Sequence, residues 1–434
     1  VSEKEKFLRL TWITSSMNKI LKIRRIIFIF FSVLFIAGAI FVAFYSNGWR
    51  FNFNTFRFQK TGAIFIETKP KNVLIEINGK TFPDQSGPLT SGTLIRNLLP
   101  ETYQINIKKA GFRPWSKNLK VEPGLVTEAL NVVLIPEKIE TKLFFNNESV
   151  SDFWISPKEK IVFEKENKLY FYDANFSKPI KLKGDKFLGF NSDESKILLQ
   201  DSKSSIFYIS DLKNNFSTLN LNLLIKNLDP KITIKNIAFH PFNSNKLILE
   251  TKNELIIFDL DTKAIETISN KSVIAWLING SNVYLWDGKV FEIFNLTLKT
   301  KNSIEDQNLT NLLSKQKLFK ISPDGKKILF LEKDNKIKVY FLKDQIKALN
   351  KKAGEIISLN LSSQLTIEDV EWYFDSFHIF IVYPKEIYFT EIDNREPINQ
   401  YLIDSNFLKC SYEIPTNTLY LLKDNSIYKW EIKQ

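Results

Sequence analysis

Hydrophobic and polar positions along the chain follow three different rules. From Ile26 to Tyr45 (IIFIFFSVLFIAGAIFVAFY) apolar residues run without a charge for a full twenty positions. From Gly62 to Pro136 short segments alternate between apolar and polar residues, each bounded by Pro, Gly or Asn. From about residue 150 onward a longer pattern recurs: an apolar strand, a turn, a second apolar strand, then an aromatic-rich third strand. Uninterrupted apolarity predicts one membrane-length helix. Period-two alternation between turn residues predicts strands. The expectation is an all-β protein with one N-terminal transmembrane helix.

The helix at 26–45 spans about 30 Å at ~1.5 Å per residue, the thickness of a hydrocarbon core. Fourteen of its twenty residues are Ile, Leu, Val or Phe, and no polar face remains for a buried soluble helix. Lys19, Lys22, Arg24 and Arg25 precede it closely, whereas only Arg50 lies within the next seven residues. Positive charge stays inside, so residues 1–25 read as a cytoplasmic basic tail and the remainder as extracytoplasmic. The rival is a cleaved signal peptide. Its apolar core is ordinarily ~7–15 residues and leads to a small-residue cleavage site. This core is longer and leads to Ser46-Asn47-Gly48-Trp49, which favours an uncleaved anchor. The sequence begins on Val1, and Met17, just before the basic run, is a second candidate start.

Residues 46–61 read as a juxtamembrane linker. Trp49, Phe51 and Phe53 alternate with polar residues, then Phe56 and Phe58 do so, as in an extended strand with one aromatic face. An interfacial aromatic belt is the rival place for Trp49. Residues 62–136 contain strand-like Ala63–Thr68, Val73–Ile77, Tyr103–Lys108, Leu119–Val121 and Ala129–Leu134, with Asn78-Gly79 as a tight hairpin turn. These predict a small β-sandwich. Three stretches carry a resemblance: Thr68-Lys69-Pro70 followed by Val73–Lys80, Leu99–Ile105, and Lys109-Ala110-Gly111-Phe112-Arg113-Pro114-Trp115. On these the segment resembles the PEGA domain, departing from it at Thr102, where that family usually has Gly. The resemblance implies an extracytoplasmic β module beside a membrane anchor, with no enzyme activity. Gly79-Lys80-Thr81 does not end a phosphate-binding loop, because the required earlier Gly position holds Leu74.

The recurring pattern has seven copies. The clearest is Leu318–Leu342 (LFKISPDGKKILFLEKDNKIKVYFL); the others begin near Phe153, Phe187, Ile237, Ile274, Val370 and Leu408. A spacing of roughly 35–50 residues is the period of four-stranded propeller blades. Ser322-Pro323-Asp324-Gly325 and its surroundings resemble TolB-type propeller repeats. The last copy lacks a fourth strand, and an open blade exposes an unpaired edge. Ile139–Phe145 is strand-like and unassigned, so it is expected to supply that strand and close the ring. Ile155, Phe190, Phe239, Trp276, Ile321, Trp372 and Cys410 are read as equivalent first-strand positions packed between blades, with Cys410 a buried, inert thiol. Inserts near Leu219–Leu228, Asp306–Lys317 and Asp344–Lys352 are expected to project from one end. The fold class is therefore a transmembrane helix, a PEGA-like β-sandwich at 62–136 and a seven-bladed β-propeller at 139–434.

Composition narrows the chemistry. Net charge is +12, of which residues 1–25 hold seven Lys/Arg against two Glu. No basic stripe interleaved with aromatics tracks a phosphate backbone, so nucleic acid is not an expected partner. A single cysteine excludes internal disulfides and paired-cysteine metal sites. That fits a bacterial envelope protein better than a secreted eukaryotic one. His240 occupies a turn position held elsewhere by Ser, and His378 opens a second strand. Asp173, Asp211, Asp259 and Asp393 end third strands and read as turn formers. No nucleophile elbow, zinc helix motif or calcium loop occurs. The expectation is no catalytic, metal or cofactor site. The leading function is a non-catalytic, envelope-anchored binding or scaffold protein, touching membrane lipid through its anchor and presenting a propeller to a protein or glycan. Two rivals stand beside it: an extracytoplasmic hydrolase or lyase, which converging Asp and Glu side chains would favour, and a membrane sensor subunit signalling through residues 1–25.

Overall fold

A computed structural model describes residues 3–433 except 54, 89, 148 and 362–364, with side chains from Leu21 onward. It is all-β, with 48% strand and 12% helix. The first helix, α1, covers Glu3–Ser46, so the basic segment continues the apolar helix. Over Leu21–Ser46 it is long and apolar enough to cross a membrane, with mean hydropathy 2.9 and none of that stretch buried. Asn47 N–H closes the last turn on Ala43 O, and Gly48, at φ +83°, turns the chain away.

The chain divides into two compact units. The first comprises Val1–Glu67, Leu74–Ile105 and Asn118–Leu130; the second comprises Thr68–Val73, Asn106–Lys117 and Asn131–Gln434. Strands Gly62–Lys69, Thr93–Leu98 and Val126–Val133 form a three-stranded sheet. Leu74–Ile77, Lys80–Pro83, Thr102–Lys108 and Trp115–Lys120 form a four-stranded one. Asn78 and Gly79 both take positive φ in the two-residue hairpin that joins Ile77 to Lys80, the geometry their dipeptide predicts. Thr102 begins its strand without positive φ, so the position needs no glycine. Thr93–Leu98 is a strand that sequence reading missed: its alternation stops at Arg96-Asn97.

Residues 49–60 are not a plain linker. Trp49–Asn52 and Arg57–Lys60 pair as a two-stranded antiparallel hairpin, with Phe51 opposite Phe58.

In the second unit the repeats become seven four-stranded antiparallel sheets. Their first strands are Val150–Ile155, Lys186–Phe190, Asn236–Phe239, Ala275–Asn279, Gln316–Ile321, Asp369–Trp372 and Lys409–Glu413. Sheet seven takes its outer strand from Lys142–Asn146, which pairs with Ser426–Glu431. The N-terminal segment thus closes the edge left by the C-terminal one. Apolar clusters join each sheet to the next. Phe207 and Ile209 of sheet two meet Phe239 and Leu247 of sheet three. Tyr420 and Leu422 of sheet seven meet Phe153 and Ile161 of sheet one. The sheets therefore pack in a cycle, the arrangement of a propeller.

Pairing to the second strands defines equivalent positions. Ile155, Phe190, Phe239, Ile321 and Trp372 face Ile161, Ile197, Leu247, Ile328 and Ile379. In sheets four and seven the matching residues are Ile278, opposite Val283, and Tyr412, opposite Leu419. The assignment of Trp276 and Cys410 to this position is therefore two residues early. A slip of two keeps the side chain on the same face, which is why both still contact apolar clusters.

The inserts do not share one end either. Leu221–Leu228 (α2) and Gln307–Lys315 (α3) lie between an outer strand and the next first strand. The Ile346–Leu349 turn joins the third and fourth strands of sheet five, at the opposite end, and its interior φ/ψ values are non-helical.

Candidate functional site

Alternation along the first strands puts apolar residues between sheets and leaves charged ones for the middle of the cycle. Lys320 of sheet five reaches two carboxylates of sheet six, Asp369 at 2.9 Å and Glu371 at 2.6 Å. Lys409 of sheet seven pairs with Asp152 of sheet one and lies 4.5 Å over the Trp154 ring. Trp276 donates Nε1–H to Glu250 at 2.8 Å. Trp372 donates Nε1–H to the Lys320 carbonyl at 3.0 Å. Both indoles serve the scaffold rather than an open platform.

Burial alone lowers the Lys320 ammonium; Glu371 and Asp369 outweigh it and hold that group above its ordinary range. Burial raises the Glu371 carboxyl against the pull of Lys320, with the Asp369 charge adding to the rise. Two carboxylates share one cation, so the trio carries a net negative charge when both ionise. Cys410 lies beside it, its thiol pushed up to about 12, chiefly by burial and then by Asp369. Cys410 is half-buried rather than fully buried, and a thiol held that high stays protonated at neutral pH.

Glu413, the last first-strand residue of sheet seven, differs from its neighbours. Burial, then the Glu194 and Glu371 charges, raise it to about 7. Glu194 itself accepts from Ser156 Oγ at 2.6 Å and from the Lys158 amide at 3.1 Å. Glu413 has no basic partner among the described residues. No group of three or more His, Cys, Asp or Glu side chains among the described residues is arranged to hold a metal ion.

The residues singled out from sequence take structural roles. His240 Nδ1 accepts the Phe242 amide at 3.2 Å, and burial, then Lys299, lower its pKa. His378 lies 2.7 Å from Asp375 and stacks on Phe389 at 4.8 Å. Asp173, Asp211 and Asp259 accept amides two residues on, and Asp393 holds the Arg395 amide and guanidinium: these are the Asx turns predicted. The ionic cluster of Asp152, Lys320, Asp369, Glu371, Lys409 and Glu413 was missed. Its one sequence signal was charge at alternate first-strand positions, as in Asp369/Glu371.

No family model matches this chain, and no curated protein matches it. Solved structures that this chain matches include the β-propeller domain of Cps50 (Swd1) from Myceliophteria thermophila. It has 11% identity and TM-score 0.44, covering 69% of this chain and 100% of that one. A chain of the mitotic checkpoint complex has 11% identity and TM-score 0.43, covering 69% and 94%. PorZ of Porphyromonas gingivalis, an essential bacterial surface component of the type-IX secretion system, has 15% identity and TM-score 0.40. It covers 68% of this chain, which spans only 39% of that one.

Proposed function

We propose that this chain is a non-catalytic, membrane-anchored binding or scaffold protein of the bacterial envelope. In this reading α1 spans the cytoplasmic membrane with its N-terminus inside. The two-sheet module is a PEGA-like sandwich, and the seven sheets are the blades of a closed TolB-type propeller offered to a protein or glycan partner outside. The observation that carries it is the ionic cluster. Lys320 is tied to Asp369 and Glu371, and Lys409 to Asp152, so these charges are engaged in joining sheet to sheet. An apolar stretch of membrane length, Leu21–Ser46, with none of it buried supports the anchor. Protease added to intact spheroplasts should degrade a C-terminal tag; protection until lysis would overturn the location. Pull-down from crosslinked envelopes should recover one protein or glycan repeatedly. Recovery no different from that of an α1-only control would overturn the binding role.

One observation favours a hydrolase or lyase as a second reading: burial raises the Glu413 carboxyl to about 7, a range that suits a general acid at neutral pH. Turnover of envelope glycans that Glu413→Gln abolishes, with the fold intact, would establish that alternative.

A further inference from the structure

We propose that the hairpin Trp49–Lys60 is a second membrane contact, lying in the headgroup layer of the leaflet into which α1 emerges. This rests on the reading of α1 as a membrane span.

The hairpin is amphipathic with its faces reversed. Trp49, Phe51, Phe58 and Lys60 share one face by register, and Arg50, Asn52, Arg57 and Gln59 share the other. In water the aromatic face belongs against the protein. Here part of the polar face is engaged instead: Asn52 is buried and bonds Gln59 at 2.9 Å, and Arg50 reaches Asn97 at 3.3 Å, while Arg57 stays exposed. Phe53, Phe56 and Phe58 are left 76%, 77% and 54% exposed. They gather around Phe51, with ring centroids 5.1, 6.3 and 5.2 Å from it. An isolated two-stranded ribbon is marginal in water, and such a patch marks an interaction surface.

Lipid is the occupant that continuity selects. Arg50 Nη1 donates to Tyr45 O at 2.7 Å, and its guanidinium sits 3.5 Å from the Tyr45 ring centroid. Trp49 meets Phe44 edge-on at 5.9 Å, and Thr61 N–H donates to Gly48 O at 2.8 Å. The hairpin is therefore tied to the end of the apolar helix. Its chemistry suits that level. Aromatic rings settle at the membrane–water boundary, and Arg50, Arg57 and Lys60 complement anionic headgroups. No Asp or Glu occurs between Lys6 and Glu67 to oppose them.

The test uses the full chain, one copy per nanodisc of phosphatidylcholine and phosphatidylglycerol, in a Cys410→Ser background. A polarity-sensitive fluorophore is attached through Phe53→Cys, or through Leu34→Cys in α1. In lipids brominated near the headgroup end of the acyl chain, the Phe53 label should emit to the blue of its aqueous position and lose at least half its intensity. Lipids brominated near the chain end should quench it less. The Leu34 label should be quenched by both. A Phe53 label with aqueous emission, or with blue-shifted emission that bromine does not quench, while Leu34 is quenched, overturns the hairpin contact alone. An unquenched Leu34 label overturns the anchor, and the hairpin contact with it.

Discussion

Lys117 and Glu391 form an ion pair at 2.5 Å within the second unit, with the Lys117 side chain wholly inaccessible and that of Glu391 8% exposed. The surroundings complete the pair. Lys117 also donates to the carbonyls of Asp393 and Arg395, at 3.1 and 2.8 Å. Glu391 accepts from Trp115 Nε1 at 3.1 Å and from the Asn399 amide at 2.8 Å. Asn399 in turn pairs with both backbone groups of Ser116. A buried charge is tolerated only with such a full set of partners.

Removing one member should therefore cost more than the pair is worth. Lys117→Met leaves Glu391 buried without its cation and is expected to destabilise the second unit by about 3–5 kcal/mol. Glu391→Gln should fall in the same range. The double variant should recover part of the loss, because no unpaired charge then stays inside. Chemical denaturation of the three variants against the parent measures this. Strictly additive losses would show that the two residues do not act as a pair.

Closure of the cycle gives a separate test. Phe145 sits on the closing strand and packs against Phe163 at 5.1 Å and Tyr172 at 4.9 Å. It joins the cluster between sheets seven and one. Phe145→Ala should cost about 3–5 kcal/mol. It should also raise aggregation, because a loosened outer strand uncovers the edge of Ser426–Glu431. Thermal unfolding with light scattering reads both effects. An unchanged midpoint would mean that the strand adds nothing to closure.

Much of this architecture was legible because its signals are local. Asn78-Gly79 named its own turn, and the Asp residues ending third strands named theirs. The missing fourth strand of the last copy pointed to Lys142–Asn146. The errors have physical causes. In sheet four only four residues separate Ile278 from Val283, against six between Ile321 and Ile328, so aligning its copy by length displaced the register. Lys117 and Glu391 are 274 residues apart; neither carries a sign of the other. The ionic cluster was hidden for the same reason, since Lys320, Asp369 and Glu371 meet only when the sheets pack.

The corrected register makes its own prediction. Tyr412 contacts Phe380 at 4.9 Å and Tyr373 at 5.6 Å, and its hydroxyl donates to Asn417 at 2.8 Å. Tyr412→Ala should cost about 3–5 kcal/mol, in the range of large aromatic truncations. Cys410→Ala removes one sulfur and should cost about 1 kcal/mol, near the typical single substitution. The native thiol should resist alkylation at pH 8 and react once unfolded, because burial holds it protonated. Equal losses at the two positions would restore Cys410 to the interlocking row.

Glu413 makes the stability of the second unit depend on pH. Its folded carboxyl is raised to about 7, by burial first and the Glu194 and Glu371 charges next, whereas an unfolded Glu titrates near ~4.3. The fold thus favours the protonated form. The sign follows: the favourable balance is complete below the unfolded value and is lost as pH rises from about 4.3 through about 7. Partial solvent access keeps the swing to about 1–3 kcal/mol. Glu413→Gln fixes the neutral form. The difference in unfolding free energy, variant minus parent, should be near zero at pH 4, climb through pH 5–7 and level off above. Subtracting the two profiles cancels the titrating groups that are not coupled to Glu413, leaving Glu413 with its neighbours Glu194 and Glu371. A flat difference would show that Glu413 ionises in the fold as it does in the open chain. It would also remove the neutral-range acid on which the hydrolase reading depends.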